Sequence, residues 1–178
     1  MYPRADTFHP HEKCNPLTPT PPSTGRSMRL YIVRHAQSAN NALDTPSLQN
    51  SGRSADPSLT AKGFQQAEAL GRFVGDELGE ACGKVEPQHA IRRMVVSPMR
   101  RCMLTAGPAA KVLGIPIEVK GDLFEHGGCF EGARDDSGGV VGCTGLTKSQ
   151  LESEFPGCVV PDELVGGWWT RQQGGETV

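Results

Sequence analysis

Leu30-Tyr31-Ile32-Val33 is the first apolar run of the chain and is rich in β-formers, a pattern that predicts a strand covered on both faces. A polar loop follows over 40–58, and then Leu59-Thr60-Ala61-Lys62-Gly63-Phe64 opens a helix. Thr60 is placed to cap it and Leu59 to staple against Phe64. Phe64, Ala67, Gly71, Val74 and Leu78 recur at helical spacing, which predicts one apolar stripe packed on a sheet. A second strand is expected over Ala90–Val96. Ser97 and Pro98 then read as the N-cap and first residue of another helix. Pro108 is expected to kink or split that helix, because it lacks an N–H and crowds the carbonyl of Leu104. Ile115–Val119 predicts a third strand, followed by a loop over Leu123–Gly132. From there to about Gly145 the chain is glycine-rich and aperiodic, which predicts a lid-like insertion. Thr147–Phe155 reads as a short helix with Thr147 and Gln150 as a capping box. Strands alternating with helices, without an internal repeat, predict a layered α/β domain.

Composition changes this picture at the N-terminus. Residues 1–27 hold Pro3, Pro10, Pro16, Pro19, Pro21 and Pro22 and no apolar period. Such a segment buries too little surface to offset chain entropy, so 1–27 is expected to be a disordered leader and 28–178 the domain. The 178 residues are 37% hydrophobic with a formal charge of −2. This balance supplies no broad basic field for nucleic acid, although a phosphate site needs only two or three local cations. No apolar run approaches the roughly 20 residues that span a membrane, and no signal-like segment opens the chain, so a cytoplasmic protein without a membrane partner is expected. Six cysteines are scattered without a C-x-x-C pair, which predicts thiols rather than disulfides or a metal site. His9 and His11 have nothing nearby to complete a metal site.

The candidate chemistry begins at Arg34-His35, where a cation and an imidazole stand at the end of the first apolar run, followed by Ser38 and Asn41. Ligands of α/β sheets collect at strand ends. The segment from Leu30 to Asn41 resembles the signature of the histidine phosphatase superfamily, also called the phosphoglycerate-mutase-like family, except that Ala36 stands where the family usually has glycine. Ser97-Pro98-Met99-Arg100-Arg101-Cys102-Met103-Leu104-Thr105-Ala106 resembles the family's second phosphate-binding segment, S-P-x-x-R-x-x-x-T-A, whose spacing selects Arg101 over Arg100. Leu59-Thr60-x-x-Gly63-x-x-Gln66-Ala67 resembles the family's first helix. Leu123-Phe124-Glu125, followed by Glu131-Gly132, is similar to its acid loop, with the gap between the glutamates one residue short. The resemblance spans roughly residues 29–178. It implies a layered sandwich with a mostly parallel central sheet flanked by helices.

The same resemblance implies a phosphomonoester hydrolase working through a phosphohistidine on His35. Arg34, Asn41 and Arg101 would hold the phosphate of a small phosphorylated metabolite. Glu125, favoured over Glu131, would protonate the leaving group. Two guanidinium forks match phosphate oxygens bidentately and spread their charge, so neither a metal nor a cofactor is implied. A phosphoglycerate-type mutase and a non-catalytic module that binds a phosphorylated ligand are the alternatives. His89, His126 and Cys102 have no matching role, and Trp168-Trp169 are more simply explained by packing than by ligand stacking. Family members carry a second histidine on a later strand, and none follows here before Val178. That strand would lie beside residues 30–35, so the resemblance implies a fragment that is weak or inactive by itself.

Overall fold

The computed structural model describes residues 28–43, 53–124, 129–131 and 141–169. The proposed leader over 1–27, Glu125, His126, most of the glycine-rich stretch and the last nine residues lie outside them. The chain divides between Leu30 and Tyr31.

Helix α1 spans Ala61–Leu78. Thr60 is its N-cap, with the hydroxyl accepting from the Gly63 amide at 3.0 Å. Its buried face is Gly63, Ala67, Gly71 and Val74. Phe64 is 46% exposed, and the buried stripe starts one residue earlier, at Gly63. The reason is space: a β-carbon at residue 63 would lie 2.1 Å from the Gln37 carbonyl oxygen, and only glycine admits the loop so closely.

Helix α2 spans Arg100–Leu113 and packs along α1. Gly71 faces Pro108 and Gly75 faces Val112 so closely that added β-carbons would lie 2.9 and 2.3 Å from them. The helix runs unbroken through Pro108. The missing N–H costs one backbone bond, and close packing of the ring against Gly71 holds the turn together. Its start also differs from expectation. Met99, not Ser97, is the N-cap and has no side-chain cap, while Ser97 Oγ accepts from the Met99 amide at 3.4 Å. The first helical amide is instead capped from a distance, by Asp56 Oδ1 accepting from Arg100 N at 2.9 Å.

Strands β1 (Met94–Val96) and β2 (Ile117–Val119) pair in parallel, with Met94 opposite Ile117 and Val96 opposite Val119. Val159 extends the pairing by a parallel bridge to Glu118. Val96, Ile117 and Val119 point into the core, while Val95 on the other face is 48% exposed. Both strands are shorter than expected: β1 begins at Met94 rather than Ala90, and β2 at Ile117 rather than Ile115. The antiparallel pair β3 (Phe130–Glu131) and β4 (Val141–Gly142) lies at the edges of the glycine-rich stretch. Helix α3 (Lys148–Glu154) carries the expected Thr147–Gln150 capping box. Met103, Leu151 and Trp168, each at most 1% exposed, centre the core with Trp169 beside them. Full burial of such side chains is worth about 1.5–3 kcal/mol apiece. This burial makes the tryptophan pair part of the packing, with the Phe124 ring tilted 37° to that of Trp168 at a centroid separation of 5.8 Å.

Leu30–Val33 departs from expectation as well. These residues belong to no helix or strand, and Ile32 and Val33 are 88% and 57% exposed. An apolar run supplies β-propensity; a strand also needs a ladder partner, and no described segment runs beside this one. The fold is nevertheless α/β: a parallel pair of strands flanked by packed helices. Among the described residues no helix is long and apolar enough to cross a membrane, and none of the five described cysteines forms a disulfide.

Candidate active site

The loop after Val33 is held by its backbone from several sides. Ser38 bridges Leu59 in antiparallel fashion, and the Ala39 amide donates to the Ser58 carbonyl at 2.9 Å. Gln37 N donates to Gln66 Oε1 at 2.9 Å, and Thr60 N donates to the Gln37 carbonyl at 3.0 Å. Asn40 clamps residue 54 through both amide atoms: Nδ2 donates to the Ser54 carbonyl at 2.8 Å and Oδ1 accepts from Ser54 N at 3.0 Å. A loop this thoroughly bonded can present side chains in fixed directions without belonging to a strand.

Arg34, His35, Asn41 and Arg101 line one pocket of about 280 Å³, together with Ser38, Asn40 and Arg53. A second depression shares Arg34, His35 and Asn41 and extends to Gln66 and Thr105. His35 is half-buried, and its Nδ1 lies 2.7 Å from the Ala36 carbonyl oxygen. A carbonyl only accepts, so Nδ1 carries a proton, and in the neutral ring Nε2 then holds the lone pair. The Asn41 amide oxygen accepts from Ser38 Oγ at 2.9 Å, which leaves its NH₂ group as the donor to the pocket.

The adjacent arginines are separated by the helix. Arg100 pairs with Glu154 of α3 at 2.5 Å, whereas Arg101 is 5% exposed and forms part of the pocket wall. The motif spacing had selected Arg101, and the structure places it with Arg34 and His35. Glu125 lies outside the described residues, and of Glu131 only the backbone is described, as part of β3. His89 faces Glu86 at 3.8 Å, remote from the pocket walls. A larger open depression of about 760 Å³ lies at the C-terminal ends of α1 and α2, and its walls include none of the candidate site residues. Among the described residues no group of three His, Cys, Asp or Glu side chains gathers to hold a metal.

Three residues here were not assigned roles from the sequence. Arg53 belongs to the pocket wall because Asn40 clamps the backbone beside it. Thr105 was visible only as the last polar residue of the motif. Asp56 had no local signal at all.

Asp56 has its pKa raised by burial, against the opposing pull of its bond from the Arg100 amide and of the Arg100 and Arg101 charges. A carboxyl whose folded pKa exceeds its unfolded value costs stability above that folded value. The cost is relieved as pH falls through it toward the ordinary Asp value of about 3.9. Asp56→Asn keeps an acceptor for Arg100 N and removes this titration. Wild type is therefore expected to gain stability relative to Asp56→Asn as pH falls through the raised folded value toward the ordinary Asp range. Urea midpoints for both proteins across that range measure the difference; a constant gap would contradict the assignment.

Residues 30–138 match the sequence model of the histidine phosphatase superfamily (branch 1). The chain belongs to that superfamily. No curated protein sequence matches it. Among solved structures, it is similar to a mycobacterial glucosyl-3-phosphoglycerate phosphatase in complex with VO3, at 23% identity and a TM-score of 0.38, covering 69% of this chain and 45% of that one. It is also similar to the ecdysone phosphate phosphatase of Bombix mori in complex with tungstate, at 18% identity and a TM-score of 0.41, covering 85% of this chain and 51% of that one. The chain thus spans about half the length of these proteins.

Proposed function

We propose that this chain acts as a phosphomonoester hydrolase in which His35 takes the phosphoryl group from a small phosphorylated substrate. The reading is supported above all by one observation: Arg34, His35, Asn41 and Arg101, drawn from two segments far apart in sequence, line a single pocket of about 280 Å³. The two guanidinium groups offset the charge of a phosphomonoester dianion, which otherwise repels a nucleophile. His35 Nε2 attacks phosphorus in line, forming the N–P bond as the P–O bond to the leaving group breaks. Glu125 gives its proton to the departing oxygen. Water then attacks the phosphohistidine, the N–P bond breaks, orthophosphate leaves and Glu125 recovers a proton from the water.

The test is covalent trapping. After incubation with a ³²P-labelled phosphomonoester and an alkaline quench, which preserves phosphohistidine, the label is expected on the peptide containing His35. His35→Ala should carry none. Label on another residue, or none on the wild-type chain, would overturn the proposal.

A further inference from the structure

Ala36 sits between the candidate nucleophile and the rest of the loop, and both peptide groups that flank it are pinned by side chains. The Ala36 amide donates to Thr105 Oγ1 at 3.0 Å, a contact 69 residues apart in sequence. The Thr105 hydroxyl in turn donates to the Arg101 carbonyl at 2.6 Å. Back-bonding to the carbonyl four residues earlier is an ordinary habit of helical threonine. The incoming bond from a distant loop is not. Thr105 is 6% exposed, so water does not readily substitute for either bond. On the other side of Ala36, the Gln37 amide is held by Gln66, and the carbonyl of that same peptide accepts the proton of His35 Nδ1.

One hydroxyl thus joins the backbone that follows His35 to the helical turn that carries Arg101. We propose that Thr105 is a positioning residue that fixes the Ala36 backbone, and through it the Nδ1–H tautomer of His35 and the placement of its ring relative to Arg101. The consequence for phosphoryl transfer rests on the function proposed above; the effect on the tautomer does not. Without the hydroxyl the Ala36 amide loses its buried partner. The loop then relaxes, the carbonyl that holds Nδ1–H moves, and the proton redistributes to Nε2, the nitrogen that must attack.

Two substitutions in the full chain separate this role from mere packing. Thr105→Val keeps the shape and removes the hydroxyl, whereas Thr105→Ser keeps the hydroxyl and removes the methyl group. Ring ¹⁵N shifts of His35 are expected to show mainly the Nδ1–H tautomer in wild type and Thr105→Ser, and a mixture in Thr105→Val. Formation of the His35 label should slow about tenfold or more in Thr105→Val and stay within about twofold in Thr105→Ser, since small misplacement of a reacting group is costly. An unchanged tautomer in Thr105→Val, or equal damage from both substitutions, would overturn the proposal. Should Thr105→Val not fold, amide exchange in the wild type decides: Ala36 must exchange far more slowly than Val33, and equal rates would refute the bond. Absence of label with the tautomer shift intact would instead refute the hydrolase reading and leave this one standing.

Discussion

Gly63→Ala is expected to unfold the loop that carries His35 or to destabilise the whole chain by several kcal/mol. The added methyl carbon would sit 2.1 Å from the Gln37 carbonyl oxygen and 3.0 Å from the Leu59 β-carbon. Neither neighbour is the flexible tip of a side chain. The carbonyl accepts from Thr60 N, and Leu59 is 6% exposed beneath the helix start. Alanine normally gains on glycine by about 1 kcal/mol within a helix. Here that gain is overwhelmed, because overpacking with backbone displacement costs about 1–3 kcal/mol and each loop hydrogen bond lost adds roughly another 1. The displaced segment lies directly beside Ser38 and Asn41, so inorganic phosphate should bind the variant more weakly even in the fraction that folds. Thermal unfolding and calorimetric titration with phosphate report both effects. A variant as stable as wild type, with equal phosphate affinity, would show that the loop is not seated on α1 as described.

The same contact explains why the amphipathic stripe of α1 was read one residue out of register. Helical spacing is satisfied equally by Phe64, Ala67, Gly71 and Val74 or by Gly63, Ala67, Gly71 and Val74, and hydrophobicity favours the first. Close approach of a backbone favours the second, and only tertiary structure reveals it. Elements governed by near neighbours were legible: the Thr60 cap and the Thr147–Gln150 box both depend on residues within one helical turn. Elements governed by distant partners were not. The Asp56 cap on α2 spans 44 residues and the Thr105 bond to Ala36 spans 69, and no local pattern announces either. Leu30–Val33 fails in the opposite sense. Its propensity is local and strong, but a ladder is a property of two segments, so composition alone could not make it a strand. Residue type states side-chain chemistry outright, while the geometry that delivers it is written in no local pattern.

Arg101→Met should reduce affinity for inorganic phosphate by about 10²–10⁴-fold, the loss of two charge-assisted hydrogen bonds at about 1.5–3 kcal/mol each. Arg101→Lys should recover only part of this, since an ammonium lacks the planar fork and holds its charge on a shorter reach. Calorimetric titration with phosphate measures both, and an affinity within threefold of wild type in Arg101→Met would remove Arg101 from the pocket's working groups. A second consequence follows from its neighbour. The Arg101 charge helps keep the buried Asp56 carboxyl ionised, opposing the burial that raises its pKa. Deleting the guanidinium leaves burial with less opposition, so the Asp56 pKa should rise further in Arg101→Met and the carboxylate should cost more stability at neutral pH. Adding Asp56→Asn to Arg101→Met should therefore restore stability without restoring phosphate affinity, whereas the same Asn in the wild-type background should have a smaller effect. A double-mutant cycle read by urea unfolding at pH 7 gives the sign of that coupling. Additive effects would mean that the cap on α2 and the phosphate-facing cation beside it are independent. Coupled ones would tie the stability of the helix start to the candidate phosphate-binding group.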